Sequence, residues 1–402
     1  MLASVNMSTI IINADIVSSG TIRKSAGLFI NNEGRIADVF DMVDFNRSKY
    51  GDADSEIDVQ GRLLCPGLID THIHGIGGFE PDSSEPEGAL KMSEALVRFG
   101  VTGFLPTLYA GSESKMETEA AGIVRAMGHE TGARILGINM EGPFLSPQKS
   151  GAQDPDSLIL PDKDVFNRLV KSGDGHIVAM TVAPELEGIE KVTQAAKDQG
   201  IVLLMGHTNA TYEQALYGKQ LGIMHATHMF NAMSKMDHKN PGVAGAVLFD
   251  PHMRCEVISD GVHVHKDLVS HIIRVKDGSS VVLITDSLRP TSLGPGRYKI
   301  NGDDVVFGDK GAFVLEKDES KLCGSALTLN MAVRNVASWT GDKAQAVRMA
   351  TENPAAVYGF SDIGSISKGK LADIAVFDSS FNATEVFVGG KIVYRKNQEN
   401  TI

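Results

Sequence analysis

A chain of 402 residues is long enough for one large barrel together with a smaller domain. Its hydrophobic fraction of 42% and charged fraction of 22% are ordinary for a globular enzyme, and no apolar run approaches the roughly 18 residues of a membrane-spanning helix. The net charge of -12 argues against nucleic acid as a partner, because binding to a phosphate backbone requires a basic surface.

Cysteine usage indicates the compartment. The three cysteines, Cys65, Cys255 and Cys323, are too few and too widely spaced for a disulfide framework, so buried thiols in a reducing compartment are the simplest interpretation. The N-terminus also lacks the basic segment, apolar core and cleavage site of a secretory signal. We therefore expect a cytoplasmic protein.

Both ends of the chain are rich in short strand-like runs separated by turns. The β-branched and aromatic runs occupy residues 9–12, 27–30, 373–377, 384–388 and 391–394. The Asn-Asn-Glu-Gly sequence at 31–34 and the Gly389-Gly390 pair are typical of tight turns between such strands. These similar ends predict one small composite β-sandwich domain, formed by both termini from residues 1–65 and 365–402.

The middle of the chain alternates apolar strand-like runs with amphipathic helix-like stretches, such as residues 89–99, 189–199 and 212–221. The eight candidate strands end near residues 70–74, 103–107, 135–141, 177–183, 201–207, 225–230, 256–260 and 281–286. Eight such alternations predict an α/β protein with a (β/α)8 TIM-like barrel over residues 66–364. In that architecture the active site lies at the C-terminal ends of the strands.

Imidazole and carboxylate side chains follow five of the predicted strands, at the end where a barrel places its active site. These side chains are His72, His74, Glu141, His207, His228 and Asp286. The first two are two residues apart, so both point to the same side of an extended strand. Taken one at a time, each of them has a simpler explanation. The histidine pair would be exposed, the glutamate would pair with a cation, a single later histidine would be an ordinary core residue, and the aspartate would cap a helix. Together they indicate a hydrolytic metal centre.

This ordered set of motifs resembles the amidohydrolase superfamily and, within it, the family of N-acetylglucosamine-6-phosphate deacetylases. The matching stretches are residues 66–75, 141–144, 206–211, 227–233, 241–245, 260–264, 285–286 and 368–373. The resemblance implies a metal-dependent deacetylase that hydrolyses the acetamide of N-acetyl-D-glucosamine 6-phosphate, an amino sugar phosphate. N-acetylgalactosamine 6-phosphate is the nearest alternative substrate, because one epimeric hydroxyl leaves little trace in a sequence. Another amidohydrolase acting on an N-acyl substrate is a further alternative.

The resemblance also implies a division of labour among the ligands. Glu141, His207 and His228 would hold one divalent ion, and histidine and carboxylate ligands suit zinc or iron. His72 and His74 would hold a second ion, bridged by Glu141, in those members of the family that carry both histidines. We therefore expect one or two ions per subunit.

The mechanism that the resemblance implies is hydrolysis by a water molecule that a metal ion activates. Asp286 would accept the proton of that water and deliver it to the leaving amine. His263 would be a second donor to the developing oxyanion and would also contact the substrate. His265 has the same strand parity as His263, but the family motif favours His263.

Substrate-binding residues are carried over from the family in the same way. The backbone at Asn231 and Ala232 would contact the sugar phosphate, and a basic residue from a neighbouring subunit would complete the phosphate site. Alignment of the motifs places Lys239 there, where arginine is usual, and a solvated loop is the competing interpretation. Gln153 stands where many relatives have a histidine that contacts the sugar. The cross-subunit residue predicts a homodimer.

Other members of the superfamily fit the sequence less well. A relative of dihydroorotase or hydantoinase would need a lysine after the fourth strand, and residues 177–185 contain none. A deaminase would lack the Glu141-Gly142-Pro143 motif. A non-catalytic relative would normally have lost metal ligands, and every expected ligand is present in this chain.

Overall fold

The computed structural model describes residues 7–51, 53–81, 83–307 and 312–396. Residues 1–6 and 397–402 of the predicted β domain lie outside the described residues. The chain begins with the strands β1 (Thr9–Ser18), β2 (Thr21–Ile30), β3 (Ile36–Asp41), β4 (Ser55–Asp58) and β5 (Leu63–Pro66). β1 pairs antiparallel with β2, and parallel with both β4 and β5.

A parallel sheet follows and curves into a barrel. Its strands are β6 (Leu68–Ile73), β7 (Val101–Tyr109), β8 (Arg134–Ile135), β9 (Ile138–Glu141), β10 (Ile177–Val182), β11 (Val202–Met205), β12 (His225–Ala226), β13 (Arg254–Ile258) and β14 (Val281–Ile284). Eight of them follow one another in the order β14-β13-β12-β11-β10-β9-β7-β6, and β8 pairs at the side with β7. Strands buried on both faces are typical of such sheets and explain the continuous apolar runs. The predicted (β/α)8 barrel is confirmed.

Helices connect the successive strands on the outside of the barrel. They are α1 (Glu87–Leu96), α2 (Glu113–Ala126), α3 (Lys163–Ser172), α4 (Ile189–Asp198), α5 (Tyr212–Leu221), α6 (Gly242–Phe249), α7 (Lys266–Val275), α8 (Leu329–Thr340), α9 (Lys343–Arg348) and α10 (Glu352–Tyr358). Local sequence fixes several of their ends. At α5, for example, the Thr211 side chain accepts from the Gln214 backbone N–H and Gln214 reciprocates, which completes a capping box.

The barrel closes between its first and last strands through side chains and loop backbone. The Asp286 N–H donates to the His72 carbonyl over 2.9 Å, just beyond β14. At the preceding residue, the Thr285 hydroxyl donates to Asp70 over 2.7 Å. Burial raises the pKa of Asp70 to about 7, although the hydrogen bonds from Thr285 oppose that shift. These links fix the ends of β6 and β14 side by side, where the predicted site residues lie.

A small antiparallel sheet that the sequence analysis missed lies between β14 and α8. Its strands are β15 (Arg297–Ile300), β16 (Asp303–Phe307), β17 (Phe313–Leu315) and β18 (Asp318–Leu322), paired in that order. Buried Leu288, Val305 and Phe313 form its core, and Tyr109 from the end of β7 packs against it. The small sheet therefore stands beside the C-terminal end of the barrel.

The last strands return to the beginning of the chain. They are β19 (Ile374–Phe377), β20 (Ala383–Val388) and β21 (Lys391–Arg395), and they extend the first sheet in the order β21-β20-β19-β5-β1-β2-β3. Gly389 and Gly390 have φ angles of 55° and 78°, the left-handed conformation that a two-residue hairpin between β20 and β21 requires. The β-sandwich of terminal strands is thus confirmed. The exact boundaries at residues 65/66 and 364/365 stay a prediction.

Among the described residues, no helix combines the length and the apolar composition needed to cross a membrane. All three cysteines are buried and free of disulfides.

One buried histidine lies away from the site, and its burial predicts how the stability of the protein changes at acid pH. His225 at the start of β12 is 2% exposed, and neither ring nitrogen has a hydrogen-bond partner among the described residues. Burial lowers the pKa of His225 to about 4 from an ordinary 6.5. The unfolded chain takes up the proton first as the pH falls, so stability present above pH 6.5 is lost toward pH 4.

We therefore expect the wild-type protein to lose about 3 kcal/mol of unfolding free energy through this group between pH 6.5 and pH 4. The variant His225→Leu should lack that loss, so its unfolding free energy should depend less on pH. Denaturant unfolding of both proteins across this pH range measures the difference. Parallel curves for the two proteins would contradict the assignment.

Candidate metal centre and active site

The C-terminal end of the barrel contains a cavity of about 460 Å³. Nine of the residues predicted from the sequence line it: His74, Glu141, Gln153, His207, His228, Asn231, Ala232, His263 and Asp286. His72 lies directly behind them and is fully buried. Side chains that are far apart in the chain therefore meet at one place, as the barrel predicts.

Glu141, His207 and His228 form the tightest group. The Oε1 atom of Glu141 lies 2.9 Å from Nε2 of His207 and 2.9 Å from Nε2 of His228. The two Nε2 atoms are 3.2 Å apart, and all three side chains are buried. Two ring nitrogens and a carboxylate oxygen that converge in this way form a ligand set suited to a divalent cation.

A second group shares Glu141 with the first. Nε2 of His74 lies 3.2 Å from Oε2 of Glu141, and Nε2 of His72 lies 3.5 Å from Oε1. His72, His74 and Glu141 also satisfy the geometry of a metal-binding group. Oδ1 of Asp286 is 3.4 Å from His74 Nε2 and 3.6 Å from His72 Nε2, so this carboxylate faces the second group.

Three of the four imidazoles are oriented by an acceptor behind the ring. Nδ1 of His207 lies 2.9 Å from the Lys149 carbonyl, and Nδ1 of His74 lies 3.1 Å from the Thr107 carbonyl. For His72 the acceptor is a side chain that is described below. A proton placed on Nδ1 leaves the Nε2 lone pair directed at the centre of the cluster. The fourth ring, His228, has no partner for Nδ1 among the described residues.

The backbone at the strand ends turns sharply to aim these side chains. His207, His228 and Asp286 have φ angles of 45°, 25° and 51°, in the left-handed region that non-glycine residues seldom adopt. Each such conformation costs of order 1 kcal/mol or more and persists only where the surrounding structure enforces it. Phe230 and Ala232, which also line the cavity, have positive φ angles of 73° and 46° as well.

The electrostatics of the cluster favour positive charge. Burial lowers the pKa of His72, but the charges of Glu141 and Glu256 outweigh it and raise that pKa to about 10. Burial likewise opposes ionisation of Glu141, yet the charges of His207 and His72 hold its pKa well below the ordinary value. The carboxylates are therefore ionised at neutral pH and stabilise either ring protons or a bound cation. The donor set and the charge both fit a divalent metal.

Asp286 is also ionised at neutral pH. Burial raises its pKa, but the hydrogen bond with His74 and the charge of His72 lower it further than burial raises it. A largely buried, ionised carboxylate at the edge of a candidate metal site can accept a proton from water.

His263 is held by its own partner on the opposite side of the cavity. Its Nδ1 lies 2.6 Å from Oδ2 of Asp260, whose other oxygen accepts the backbone N–H groups of Val262 and His263. Burial raises the pKa of Asp260, yet the hydrogen bond and charge of His263 lower it overall. His265, by contrast, is 69% exposed and lies at the start of α7. Of these two histidines, the structure places only His263 in the cavity wall.

Gln153 is engaged with the cluster itself. Its Nε2 donates to Oε2 of Glu141 over 2.5 Å, and its Oε1 accepts the Ala110 N–H over 2.9 Å. The side chain thus orients the carboxylate that both groups share, while it still lines the cavity.

Lys239 is not in the cavity of its own chain. It lies in an exposed loop, where its backbone N–H donates to Asp237 over 2.7 Å. Its contact across a subunit interface stays a prediction.

Several residues that line the cavity were not predicted from the sequence, and two of them bear on the chemistry of the site. Tyr109 stacks on the ring of His74 with centroids 3.9 Å apart. Lys321 from β18 is the only lysine or arginine among the described residues that line the cavity. No motif marks either residue, because both depend on where the small sheet packs.

The fold and the cluster together define a hydrolase of the (β/α)8 class. Residues 63–393 match the model of the amidohydrolase family. The chain belongs to the amidohydrolase family, whose members generally bind a divalent metal.

Similar proteins carry related names. The chain is 31% identical to the N-acetylglucosamine-6-phosphate deacetylase of Bacillus subtilis over 352 residues, which are 85% of this chain and 87% of that protein. It is also 31% identical to an N-acetylgalactosamine-6-phosphate deacetylase of Escherichia coli O157:H7 over 333 residues, 82% of this chain and 87% of that protein. A mutant N-acetyl-D-glucosamine-6-phosphate deacetylase from Mycobacterium smegmatis, solved in complex with N-acetyl-D-glucosamine-6-phosphate, superposes with a TM-score of 0.87 at 26% identity, covering 96% of this chain and 99% of that one.

Proposed function

We propose that this chain hydrolyses the acetamide of N-acetyl-D-glucosamine 6-phosphate to D-glucosamine 6-phosphate and acetate. The observation that carries the proposal is the convergence of Glu141, His207 and His228 in the cavity, together with the ionised Asp286 that follows β14. The names of relatives at about 31% identity support the substrate.

In this proposal Glu141, His207 and His228 would hold a zinc or iron ion, and His72 and His74 would hold a second one. The chemistry supplied when an ion is bound is Lewis acidity toward a water molecule and an acetamide carbonyl. The protein itself orients the ligands through Gln153 and the backbone carbonyls behind the rings, and it keeps the cluster buried.

Proton transfer belongs to Asp286. Its carboxylate accepts a proton from the attacking water and later gives it to the nitrogen of the leaving amine, so the proton count balances in hydrolysis. His263 would stabilise the oxyanion, at a cost of ~3 kcal/mol if such a donor is lost. Because Asp260 occupies the Nδ1 side, donation to the oxyanion requires a proton on Nε2 of His263 as well.

Phosphate recognition would combine backbone and cationic groups. Asn231 and Ala232 line the cavity. The Asn231 N–H donates to the His228 carbonyl over 2.9 Å, so the Ala232 N–H would be the backbone donor to the phosphate. Lys321 contributes a cation from the same chain; its Nζ lies 3.7 Å from Oδ2 of Asp318, and its side chain is 62% exposed. Lys239 of a second subunit would add a second cation to the phosphate site, and for this reason we propose a homodimer. The cytoplasmic location stays a prediction of the sequence.

The phosphate role can be tested with two lysine variants. Lys321→Ala and Lys239→Ala should each raise KM for the phosphorylated sugar about tenfold, because a hydrogen bond to a charged group contributes more than 1 kcal/mol. Steady-state kinetics on N-acetylglucosamine with and without the 6-phosphate measure the effect. The unphosphorylated sugar is the internal control, since its KM should not change. If removing a lysine leaves KM unchanged for both the phosphorylated and the unphosphorylated sugar, that lysine does not bind the phosphate.

Acetate release from the two epimeric sugar phosphates tests the function. We expect a higher kcat/KM for N-acetylglucosamine 6-phosphate, and loss of activity after treatment with a chelator. A higher value for the galacto epimer would favour the second candidate, which the similarity to the Escherichia coli enzyme supports. Turnover of neither substrate by metal-loaded protein would refute the proposal.

A further inference from the structure

A buried carboxylate lies behind the second metal-type group. Glu256 is the third residue of β13 and is fully buried within the barrel. Its Oε2 lies 3.2 Å from Nδ1 of His72, on the side of the ring that faces away from the cavity. Glu256 does not line the cavity, so it cannot contact a substrate there.

The side chains around Glu256 show which contact satisfies its buried carboxylate. Tyr358 at the end of α10 donates toward Oε1 over 3.5 Å, the outer limit of a hydrogen bond. Among the described residues, His72 is therefore the closest side-chain donor to this carboxylate. Burying a carboxylate without a close donor is costly, so the pairing with His72 accounts for an acid in the barrel interior.

The pairing has a consequence for the other nitrogen of His72. A neutral imidazole has one N–H group, and donation of Nδ1–H to Glu256 leaves Nε2 as a lone pair. That Nε2 atom has no hydrogen-bond partner among the described residues. Its neighbours are Glu141 Oε1 at 3.5 Å and Asp286 Oδ1 at 3.6 Å, which are acceptors as well. Three acceptors facing one another repel unless Nε2 carries a second proton or a cation lies between them.

The other imidazoles of the cluster lack such a partner. His74 and His207 each have a backbone carbonyl behind the ring, and His228 has no acceptor among the described residues. A carboxylate withdraws the Nδ1 proton more strongly than a carbonyl and makes the opposite nitrogen a better metal ligand. His72 is thus the histidine whose affinity for a cation is raised most by its surroundings.

We infer that Glu256 is a positioning residue that sets, through His72, the affinity of the second cation site proposed above for His72, His74 and Glu141. The inference rests on the proposed function only in taking the cluster as a metal centre, and it adds the residue that controls occupancy. Glu256 acts through His72 and touches neither substrate nor the first group. The alternative is a structural ion pair, in which His72 keeps both ring protons and no second ion binds.

Metal counting on the whole protein tests the inference without using deacetylase activity. The wild-type protein, loaded with Zn²⁺ and dialysed, should hold two ions per chain. Glu256→Leu should hold one, and its second-site affinity in a chelator competition should fall about 10- to 100-fold. Glu256→Gln keeps an oxygen that accepts from Nδ1 but loses the charge, so its affinity should lie between those of the other two.

Two further variants make the test specific. Asp260→Asn removes the charge of another carboxylate that partners a histidine, and it should keep two ions. In the His72→Ala background, Glu256→Leu should cause no additional loss of metal, because Glu256 acts through that ring. Thermal unfolding shows whether each variant is folded, and the isosteric Glu256→Gln provides the comparison if Glu256→Leu is not.

Three results would overturn the inference. One is a wild-type protein that binds a single Zn²⁺, which is the behaviour of the structural ion pair. Another is unchanged second-site affinity in both Glu256 variants. The third is a loss of both ions together, which would mean that Glu256 supports the fold rather than His72. A failure of the proposed substrate would leave these metal counts unchanged, so the two hypotheses are tested separately.

Discussion

Replacing His207 with glutamine should remove the ion held with Glu141 and His228 and lower acetate release about 1000-fold or more. The expected size follows from the loss of several kcal/mol of transition-state stabilisation that a metal centre supplies. Glutamine is close in size to histidine, but it cannot reproduce a ring nitrogen whose position is fixed by the Lys149 carbonyl. Metal content and acetate release measured on one preparation of the variant test both effects.

A matched control for this variant is His265→Gln, because His265 is an exposed histidine near the site with its side chain 69% accessible. It should keep the wild-type metal content and rate. If His207→Gln retains its metal and its activity, the ligand assignment is wrong. If it loses activity with full metal content, His207 has a role other than the one proposed.

The second large effect is expected for Asp286→Asn. The amide keeps the shape of the side chain but cannot take a proton from water, so kcat should fall about 100- to 10,000-fold. The backbone N–H of residue 286, which links β14 to the His72 carbonyl, is unaffected by the change. Single-turnover acetate release, measured together with metal content, separates loss of the proton acceptor from loss of an ion.

The control for Asp286→Asn is Asp267→Asn, since Asp267 is an exposed aspartate in the first turn of α7. It should be as active as the wild type. Near-normal turnover by Asp286→Asn would remove Asp286 as the proton carrier. A drop that accompanies loss of metal would place it among the ligands instead.

The barrel could be predicted from the sequence because its strands leave a strong signal. A parallel strand that is buried on both faces must be continuously apolar, and the polar residue that ends it stands out. This holds even at β12, which has only two residues before the segment leading to His228. The clustering of Glu141, His207 and His228 followed from the barrel itself, since parallel strands present their C-terminal ends at one face.

The rest of the site left no such signal. The strands of the small sheet are short, and one of them, Asp318–Leu322, is polar at every position but the last, so the strand period is weak there. Lys321 enters the cavity only because that sheet packs against Tyr109. In the sequence Glu256 is one residue of an ordinary strand, and its proposed role follows only from its contact with the ring of His72. Contacts of this kind are set by packing between segments that are distant in sequence.

A crystal structure of the metal-loaded protein with glucosamine 6-phosphate would test the central claim most directly. We predict an ion bound by Glu141, His207 and His228, with the amine of the sugar beside Asp286 and the phosphate near Asn231 and Ala232. An ion bound elsewhere, or a sugar whose amine lies far from Asp286, would contradict this prediction.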